Sequence, residues 1–380
     1  MDYPEIAKPK ADQMKVSPNL DGRALGSDFD WQQIEKELGV SPREINLPYL
    51  AIDRHAASSR RDKPALIWEG KNGETERYSF GELASLSNQF ANVLKGLGIT
   101  KGERVFTFLG RVPELYPVVF GTLKLGAIIG PLFADFGPDP VRDRLRDSGA
   151  RVLVTSPALK AHIADILGDL PELEYLVIVD RSREYVKEKR EIIFHEAMAG
   201  VSPDFAQAMP GADDYSVMHH TSGTTGKPKG AVHVHRAAIQ HYATGRWVLD
   251  FHEDDIYWCT ADPGWVTGTS YGMFAPWTNG VTQVVYEGGF RASAWYSIIE
   301  KHHVTVWYTA PTAVRMLMKA GEAVAGHHDL GSLRHICSVG EPLNPEAVIW
   351  GLKVFKQPIH DNWWQTETGA ILIANYPFMP

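Results

Sequence analysis

The sequence has 380 residues, 44% of them hydrophobic and 22% charged, with a formal net charge of −8. That length supports about two or three structural units around sizeable cores, and the balance of apolar and charged residues is that of a soluble globular chain. The acidic balance excludes a broad nucleic-acid surface, which needs clustered basic residues.

Two cysteines, Cys259 and Cys337, form neither a disulfide framework nor a metal site by themselves. Each sits in an apolar run, so both are expected to be buried thiols in a reducing compartment. The start, "MDYPEIAKPKADQ", has no apolar stretch behind its charges and does not have the pattern of a secretory signal. The expectation is a cytoplasmic protein.

In chain order, "FGELASLSNQFANVLKGLG" puts Leu83, Leu86, Phe90, Val93 and Leu94 on one helical face and closes on Gly96 and Gly98. "RVFTFLG" (Arg104–Gly110) reads as a strand. The most membrane-like stretch, Leu115 to Phe136, is interrupted by Lys124, glycines and prolines, and reads as a buried helix running into a buried strand. Further apolar, β-branched runs follow at "RVLVTS" (Arg151–Ser156), "YLVIVD" (Tyr175–Asp180), "VTVWYTA" (Val304–Ala310) and "HICSVGE" (His335–Glu341). Strands without clean alternation are buried on both faces, which indicates mainly parallel α/β sheets covered by helices. "VKEKREII" reads as a solvated edge or loop, and a weak boundary falls within Met198–Asp214, where Pro, Gly, Ala and Asp accumulate. The expected organisation is an N-terminal extension over 1–30, a first α/β subdomain over 31–210, and a second over 211–380 that carries the site.

The most informative stretch is "HHTSGTTGKPKG", His219 to Gly230. Its richness in glycine, hydroxyl and lysine argues against regular helix or strand. Backbone N–H groups converge on phosphate oxygens where no Cβ blocks the approach; hydroxyls add donors and lysine adds charge. The spacing is not that of a Walker loop: Gly223 and Gly226 are only three apart, and Pro228 follows Lys227 where a Ser or Thr would bind magnesium. Composition alone leaves a flexible linker open, with phosphate contact favoured. The flanking "HH" (His219, His220) and "HVH" (His233, His235) lack the third and fourth ligands that a zinc site requires.

Together with "YSFGEL" (Tyr78–Leu83), "LKLGAI" (Leu123–Ile128), "CTADPGWVTGTSYG" (Cys259–Gly272), "YTAPTAVRMLM" (Tyr308–Met318), "SVGEPLNPE" (Ser338–Glu346) and "DNWWQTETG" (Asp361–Gly369), this loop resembles the adenylate-forming superfamily of acyl-CoA synthetases, peptide-synthetase adenylation domains and luciferases. Within it the motifs are most similar to those of the acetyl-CoA synthetases. The resemblance runs from about Trp31 to the last residue.

The resemblance implies activation of a carboxylate by ATP to an acyl-adenylate, release of pyrophosphate, and displacement of AMP by coenzyme A. It implies that Thr221, Ser222, Gly223, Thr224, Thr225 and Gly226 wrap the β- and γ-phosphates, with Lys229 adding charge. Gly340, Glu341 and Pro342 would wall the adenine, with Asp361, Asn362 and Trp363 beside it. Gln365 and Thr366 would face the α-phosphate, and Glu367 would bind Mg2+, a cation that prefers hard oxygen donors. Thr221, Lys229, Thr366 and Glu367 are the catalytic set on this reading. Trp265, Val266, Thr267, Val339 and Trp364 would line the acyl pocket, where a second tryptophan in "WW" leaves room only for a short acid. Acetate is the implied substrate; propionate, or a module that binds adenylate without turnover, are the alternatives.

The implied fold is the family's large N-terminal domain: stacked αβαβα sheets with a small β-barrel. Family members continue past the last matched motif with an aspartate that holds the ribose, a hinge and a C-terminal lid domain bearing a lysine. None of these follows in the sequence, so the lid domain is expected to be absent.

Overall fold

Ser79 starts the first long helix. Its side chain accepts from the Glu82 N–H while the Glu82 carboxylate accepts from the Ser79 N–H, a reciprocal cap that fixes the start of the helix Phe80–Gly96. The chain leaves that helix through Gly98, whose φ of +75° is the left-handed turn a glycine makes at low cost. This is a computed structural model, and it describes residues 6, 8, 14–20, 29–41, 45–206, 210–222 and 226–377. Gly223, Thr224 and Thr225 of the glycine-rich loop lie outside the described residues.

The strands in chain order are β1 (Pro64–Glu69), β2 (Thr75–Ser79), β3 (Arg104–Phe108), β4 (Ile128–Leu132), β5 (Val152–Thr155), β6 (Tyr175–Ile178), β7 (Glu191–Ile193) and β8 (Tyr215–Ser222). They continue as β9 (Pro228–Val234), β10 (Ile256–Cys259), β11 (Thr282–Tyr286), β12 (Val306–Thr309), β13 (His335–Ser338), β14 (Ile359–Trp363) and β15 (Ile373–Ala374). They form an eight-stranded sheet, β15-β14-β13-β12-β10-β11-β1-β2, and a seven-stranded sheet, β7-β6-β5-β3-β4-β8-β9. The interior pairings are parallel, and antiparallel pairs occur only at the edges, at β1–β2, β14–β15 and β8–β9. The charged "VKEKREII" run leads into the edge strand β7, as its composition suggests.

Alternate residues of the central strands enter different cores. Trp258, Trp307 and Ile336 face outward under the helices Ala292–His302, Pro311–Ala320 and Pro345–Phe355. Their neighbours Tyr257, Val306, Tyr308 and Cys337 face inward with Tyr271 and Trp364. Between the sheets, the helices Phe80–Gly96 and Leu115–Lys124 join Leu66 and Trp68 of β1 to Val105, Ile129 and Val154 of the other sheet. A separate core of Phe106, Phe108 and Leu153 covers the outer face of the seven-stranded sheet with Val141 and Leu145 of the helix Pro138–Ser148. The order is therefore helix, sheet, helix, sheet, helix. Both cysteines are buried.

The chain division near 210 does not follow the sheets: β1 and β2 close the sheet otherwise built after 250, while β8 and β9 close the sheet built before 200. The reason is that β1 pairs in parallel with β11 and β8 with β4, so each sheet recruits edge strands from the other half. Within the N-terminal extension, Asn19 donates its backbone N–H to Asp250 at 2.7 Å and its side chain to Phe251 O at 2.9 Å. All strands of the described residues belong to the two sheets, and the last of them, β15, adds two residues to the edge of β14.

Candidate active site

β10, β12, β13 and β14 run parallel, so their carboxyl ends open on one edge of the sheet. Open α/β sheets hold ligands at that edge, where loops diverge around a crevice. A cavity of about 580 Å³ lies there. It is lined by the residues that follow each strand: Thr260 and Asp262, Thr309 and Ala310, Val339 and Gly340, and Trp364, Gln365 and Thr366. Trp265, Val266 and Thr267 close it from the side. A larger cavity, about 710 Å³, opens at the opposite edge against Arg334, His335 and His360, and no residue selected from the sequence lines it. The smaller cavity is the better candidate, because every expected acyl-pocket residue borders it.

The segment Thr260–Thr269 is wedged between the two sheets. A Cβ on Gly264 would stand 2.3 Å from the backbone of Phe133, and one on Gly268 would stand 2.0 Å from the Asp262 carbonyl oxygen, so both positions require glycine for space. Trp265 is 46% exposed at the mouth, its ring 5.3 Å from that of Phe133 and 5.7 Å from that of Phe136. The Arg111 guanidinium reaches across from the end of β3, 3.4 Å from Thr260 O and 3.6 Å from the Asp262 carboxylate. Burial raises the Asp262 carboxyl pKa, and Arg111 opposes that rise.

Trp364 is buried at the inner end of the cavity, while its neighbour Trp363 is 54% exposed. The alternation follows from where β14 ends: the side chains of consecutive residues point to opposite faces. Gly340 has a φ of +104°, which favours glycine at the turn after β13. Beside it Glu341 accepts from the Thr312 N–H at 2.9 Å and from Arg315, and these bonds from Thr312 and Arg315 hold its carboxyl below the usual range. Burial pushes the Asp361 carboxyl up. Asn362 turns inward to Tyr308, not outward to the cavity mouth.

The turn Gln365–Gly369 is tied internally: the Gly369 N–H and the Thr368 hydroxyl both donate to Gln365 O, at 3.2 and 2.9 Å. Within it Thr366 is half-buried and Glu367 exposed. Among the described residues no hydrogen-bond or ion-pair partner holds the Glu367 carboxylate. His233 of β9 lies against this turn, with a backbone group of Thr366 and the carboxylate of Glu367 in its surroundings, and burial lowers its pKa.

The glycine-rich stretch is less irregular than its composition indicates. β8 continues to Ser222 and β9 resumes at Pro228, with Thr221 opposite Lys229 and Ser222 opposite Pro228. Pro228 is tolerated because it is the first residue of an edge strand. Thr221 and Lys229 therefore share one face at the hairpin end, Lys229 exposed and Gly226 turning with a φ of +83°. His220 Nε2 is 3.0 Å from the Asp147 carboxylate. Among the described residues no group of three or more His, Cys, Asp or Glu is arranged to hold a metal.

Of the residues selected from the sequence, Trp265, Val266, Thr267, Val339, Gly340, Trp364, Gln365 and Thr366 line the cavity. Thr221, Gly226, Lys229, Glu341, Pro342, Asp361, Asn362, Trp363 and Glu367 do not. Sequence reasoning missed Asp262, Tyr308, Thr309 and Ala310 as lining residues. Tyr308, Thr309 and Ala310 close the apolar run Val304–Ala310, where a parallel strand delivers side chains to a site, and Asp262 lies within the motif Cys259–Gly272; those positions were the available signal.

A family model described as AMP-binding enzyme matches residues 52–380. The chain is 50% identical over 353 residues to an acetyl-coenzyme A synthetase of Bacillus subtilis (strain 168), covering 92% of this chain and 61% of that protein. It is 41% identical to an acetyl-coenzyme A synthetase of Rubrobacter xylanophilus, covering 91% of this chain and 57% of the relative. It thus spans about three fifths of the length of these curated relatives. Among solved structures, an acyl-CoA synthetase of Brucella canis superposes with a TM-score of 0.88 at 33% identity, covering 95% of this chain and 65% of that one. The crevice beyond parallel strands and the match over most of the sequence agree: the chain belongs to the AMP-binding enzyme family.

Proposed function

We propose that this chain carries the ATP- and acetate-binding part of an AMP-forming acetate–CoA ligase. The observation that carries the reading is the position of Trp364, buried at the inner end of a cavity whose other walls include Gly340, Gln365 and Thr366. A bulky side chain there leaves space for a short acyl group next to the segments assigned to the nucleotide.

Both reactants of the first step, a carboxylate and the α-phosphate of ATP, are anions, so the site has to position them in line and offset charge. Backbone groups of the stretch Thr221–Gly226 would receive the β- and γ-phosphates, with Lys229 opposite Thr221 supplying a cation. Gly340, Glu341 and Pro342 would form the adenine wall, with Asp361 and Trp363 at its edge. Thr366 and Gln365 would contact the α-phosphate. Glu367 offers an exposed hard carboxylate without a competing partner among the described residues, which suits Mg2+: that ion takes one or two carboxylates and fills its shell with phosphate oxygens and water. Mg2+ bound there would offset phosphate charge. Coenzyme A is the expected acceptor of the acyl group, and the cytoplasm the expected compartment; no helix among the described residues is long and apolar enough to cross a membrane.

Acetate is favoured over longer acids because each buried methylene otherwise gains about 0.8 kcal/mol, and a rigid wall reverses that trend through overpacking of about 1–3 kcal/mol. The test is calorimetric titration of the 380-residue chain with the propyl ester of AMP, a non-hydrolysable mimic of a short acyl-adenylate. Saturable one-to-one binding is expected. Absence of binding would overturn the site assignment for this chain.

A further inference from the structure

The end wall of the pocket is held by hydrogen bonds as well as by packing. The indole N–H of Trp364 donates to the hydroxyl oxygen of Tyr308 at 3.2 Å, and that hydroxyl donates to Asn362 Oδ1 at 2.8 Å. Tyr308 has no solvent exposure, and burial pushes its hydroxyl pKa well up, so it stays protonated and keeps both roles. Tyr271 backs the same wall, its ring edge-on to Trp364 at 5.1 Å and to Tyr308 at 5.7 Å. Tyr271 is itself fixed: it accepts from the Ile371 N–H at 2.7 Å and, since Thr244 spends its proton on Gln240 O, it donates to the Thr244 hydroxyl at 2.8 Å.

A buried tryptophan in this fold does not automatically receive an acceptor. The indole nitrogens of Trp295 and Trp307 are buried without a hydrogen-bond partner among the described residues. Packing alone holds the Trp307 ring in the outer core, and Trp295, which also borders the cavity, has no acceptor; Trp364 borders the cavity and has one.

We infer that Tyr308 is a specificity-positioning residue: its hydroxyl, oriented by Asn362, locks the Trp364 indole in the orientation that closes the acyl pocket. Removing the acceptor leaves a buried N–H unsatisfied, and the indole gains by rotating toward the cavity or toward water that enters it. The wall then yields to longer acyl groups. This inference rests on the acetate-pocket reading above, and it adds a residue that does not itself contact the reacting atoms.

The experiment titrates the 380-residue chain and its Tyr308→Phe variant with ethyl, propyl, butyl and pentyl esters of AMP. The wild-type chain should bind the ethyl and propyl esters in preference to the longer two. In Tyr308→Phe, which keeps the ring volume, the butyl-to-ethyl affinity ratio should rise about fivefold, the scale of one buried hydrogen bond. A purely structural role would lower all four affinities alike, so a uniform loss overturns the lock, as does an unchanged ratio. Asn362→Ala removes the hydroxyl's acceptor while keeping Tyr308, and should move the ratio in the same direction; it decides the matter if Tyr308→Phe does not fold. Failure of the wild-type chain to bind any ester overturns the acetate-site reading and the lock with it. Binding by the wild type with a chain-length preference that neither variant alters overturns the lock alone.

Discussion

The Nε2–H of His241 donates to the carbonyl oxygen of Gly369 across 3.0 Å, joining residues 128 apart in the sequence. Gly369 has a φ of +71°, and a Cβ there would stand 2.8 Å from the His233 ring, so two histidines press on the same residue. The turn bearing Thr366 and Glu367 is therefore held by the strand and helix that follow the glycine-rich hairpin, His233 from β9 and His241 from the helix Ala237–Trp247. His241→Phe keeps the ring but leaves the buried Gly369 carbonyl without its donor, a loss of about 1–3 kcal/mol. Denaturant unfolding should register that loss, and AMP-ester affinity should fall with it; an unchanged midpoint would show that the contact carries no energy.

Acid should unfold this protein earlier than its carboxylates require. Burial lowers the pKa of His55 and His219 to about 3, and of His235, His241 and His335 to about 4, from 6.5. Below 6.5 the unfolded chain takes up protons that the folded chain refuses, so stability is full above that pH and falls as pH drops toward 4. Each such histidine loses about 1.4 kcal/mol per pH unit between 6.5 and its folded value, about 3–5 kcal/mol in all, against a typical total of about 5–15 kcal/mol. Asp53 and Asp262, raised by burial, act in the opposite sense, since their folded carboxyls take up protons before the unfolded ones do. The melting temperature, measured at intervals from pH 7.5 to 4.5, should drop steadily below about 6.5; a flat profile to pH 5 would contradict the burial of these rings.

Much of this was legible in the sequence. Runs such as Arg151–Ser156 and His335–Glu341 contain buried parallel strands because nothing in them alternates, and Leu115–Phe136 is the helix-then-strand that its lysine and glycines suggest. What escaped was long-range pairing. No local pattern says that β1 lies beside β11, more than two hundred residues later, so the chain division near 210 cut across both sheets. The glycine-rich stretch shows a second limit. Its composition indicates irregular backbone, yet antiparallel pairing carries strand as far as Ser222 and from Pro228. Tyr308 shows a third: in the sequence it is the end of an apolar run, and only the approach of Trp364 and Asn362 gives its hydroxyl a task.

Gly268→Ala should loosen the acyl loop. The new methyl would stand 2.0 Å from the Asp262 carbonyl oxygen and 2.4 Å from its carbon, which are backbone atoms that have no rotamer to escape into. Overpacking of this kind costs about 1–3 kcal/mol, and the displaced segment carries Trp265, Val266 and Thr267. Gly96→Ala is the matched control, since nothing lies within 4 Å of its Cβ and it sits inside the helix Phe80–Gly96; it should stabilise by about 0.5–1 kcal/mol. Thermal melts of the two variants should shift in opposite directions.

Glu367→Gln removes one charge from an exposed side chain that has no hydrogen-bond or ion-pair partner among the described residues, with only the His233 ring in its surroundings. Its folded stability should stay within about 0.5 kcal/mol of the parent. ATP affinity measured with EDTA should be unchanged, whereas the gain on adding Mg2+ should shrink about tenfold, the loss of one hard ligand to the ion. Equal Mg2+ enhancement in both proteins would move the metal site elsewhere.

Trp364→Gly tests the pocket wall directly. The indole is 7% exposed and borders the cavity, so its removal extends the acyl space inward against Tyr271 and Tyr308. The deletion also costs about 3–5 kcal/mol of stability, so the comparison has to be made at a temperature where both proteins are folded. Short esters of AMP should then bind more weakly, because they no longer fill the enlarged space. Each added methylene that reaches it should gain about fourfold in affinity, the equivalent of roughly 0.8 kcal/mol. The preferred ester should therefore shift from ethyl or propyl to butyl or longer. A uniform drop without change of order would mean that Trp364 supports the fold but does not measure the acid, and the acetate assignment would lose its basis.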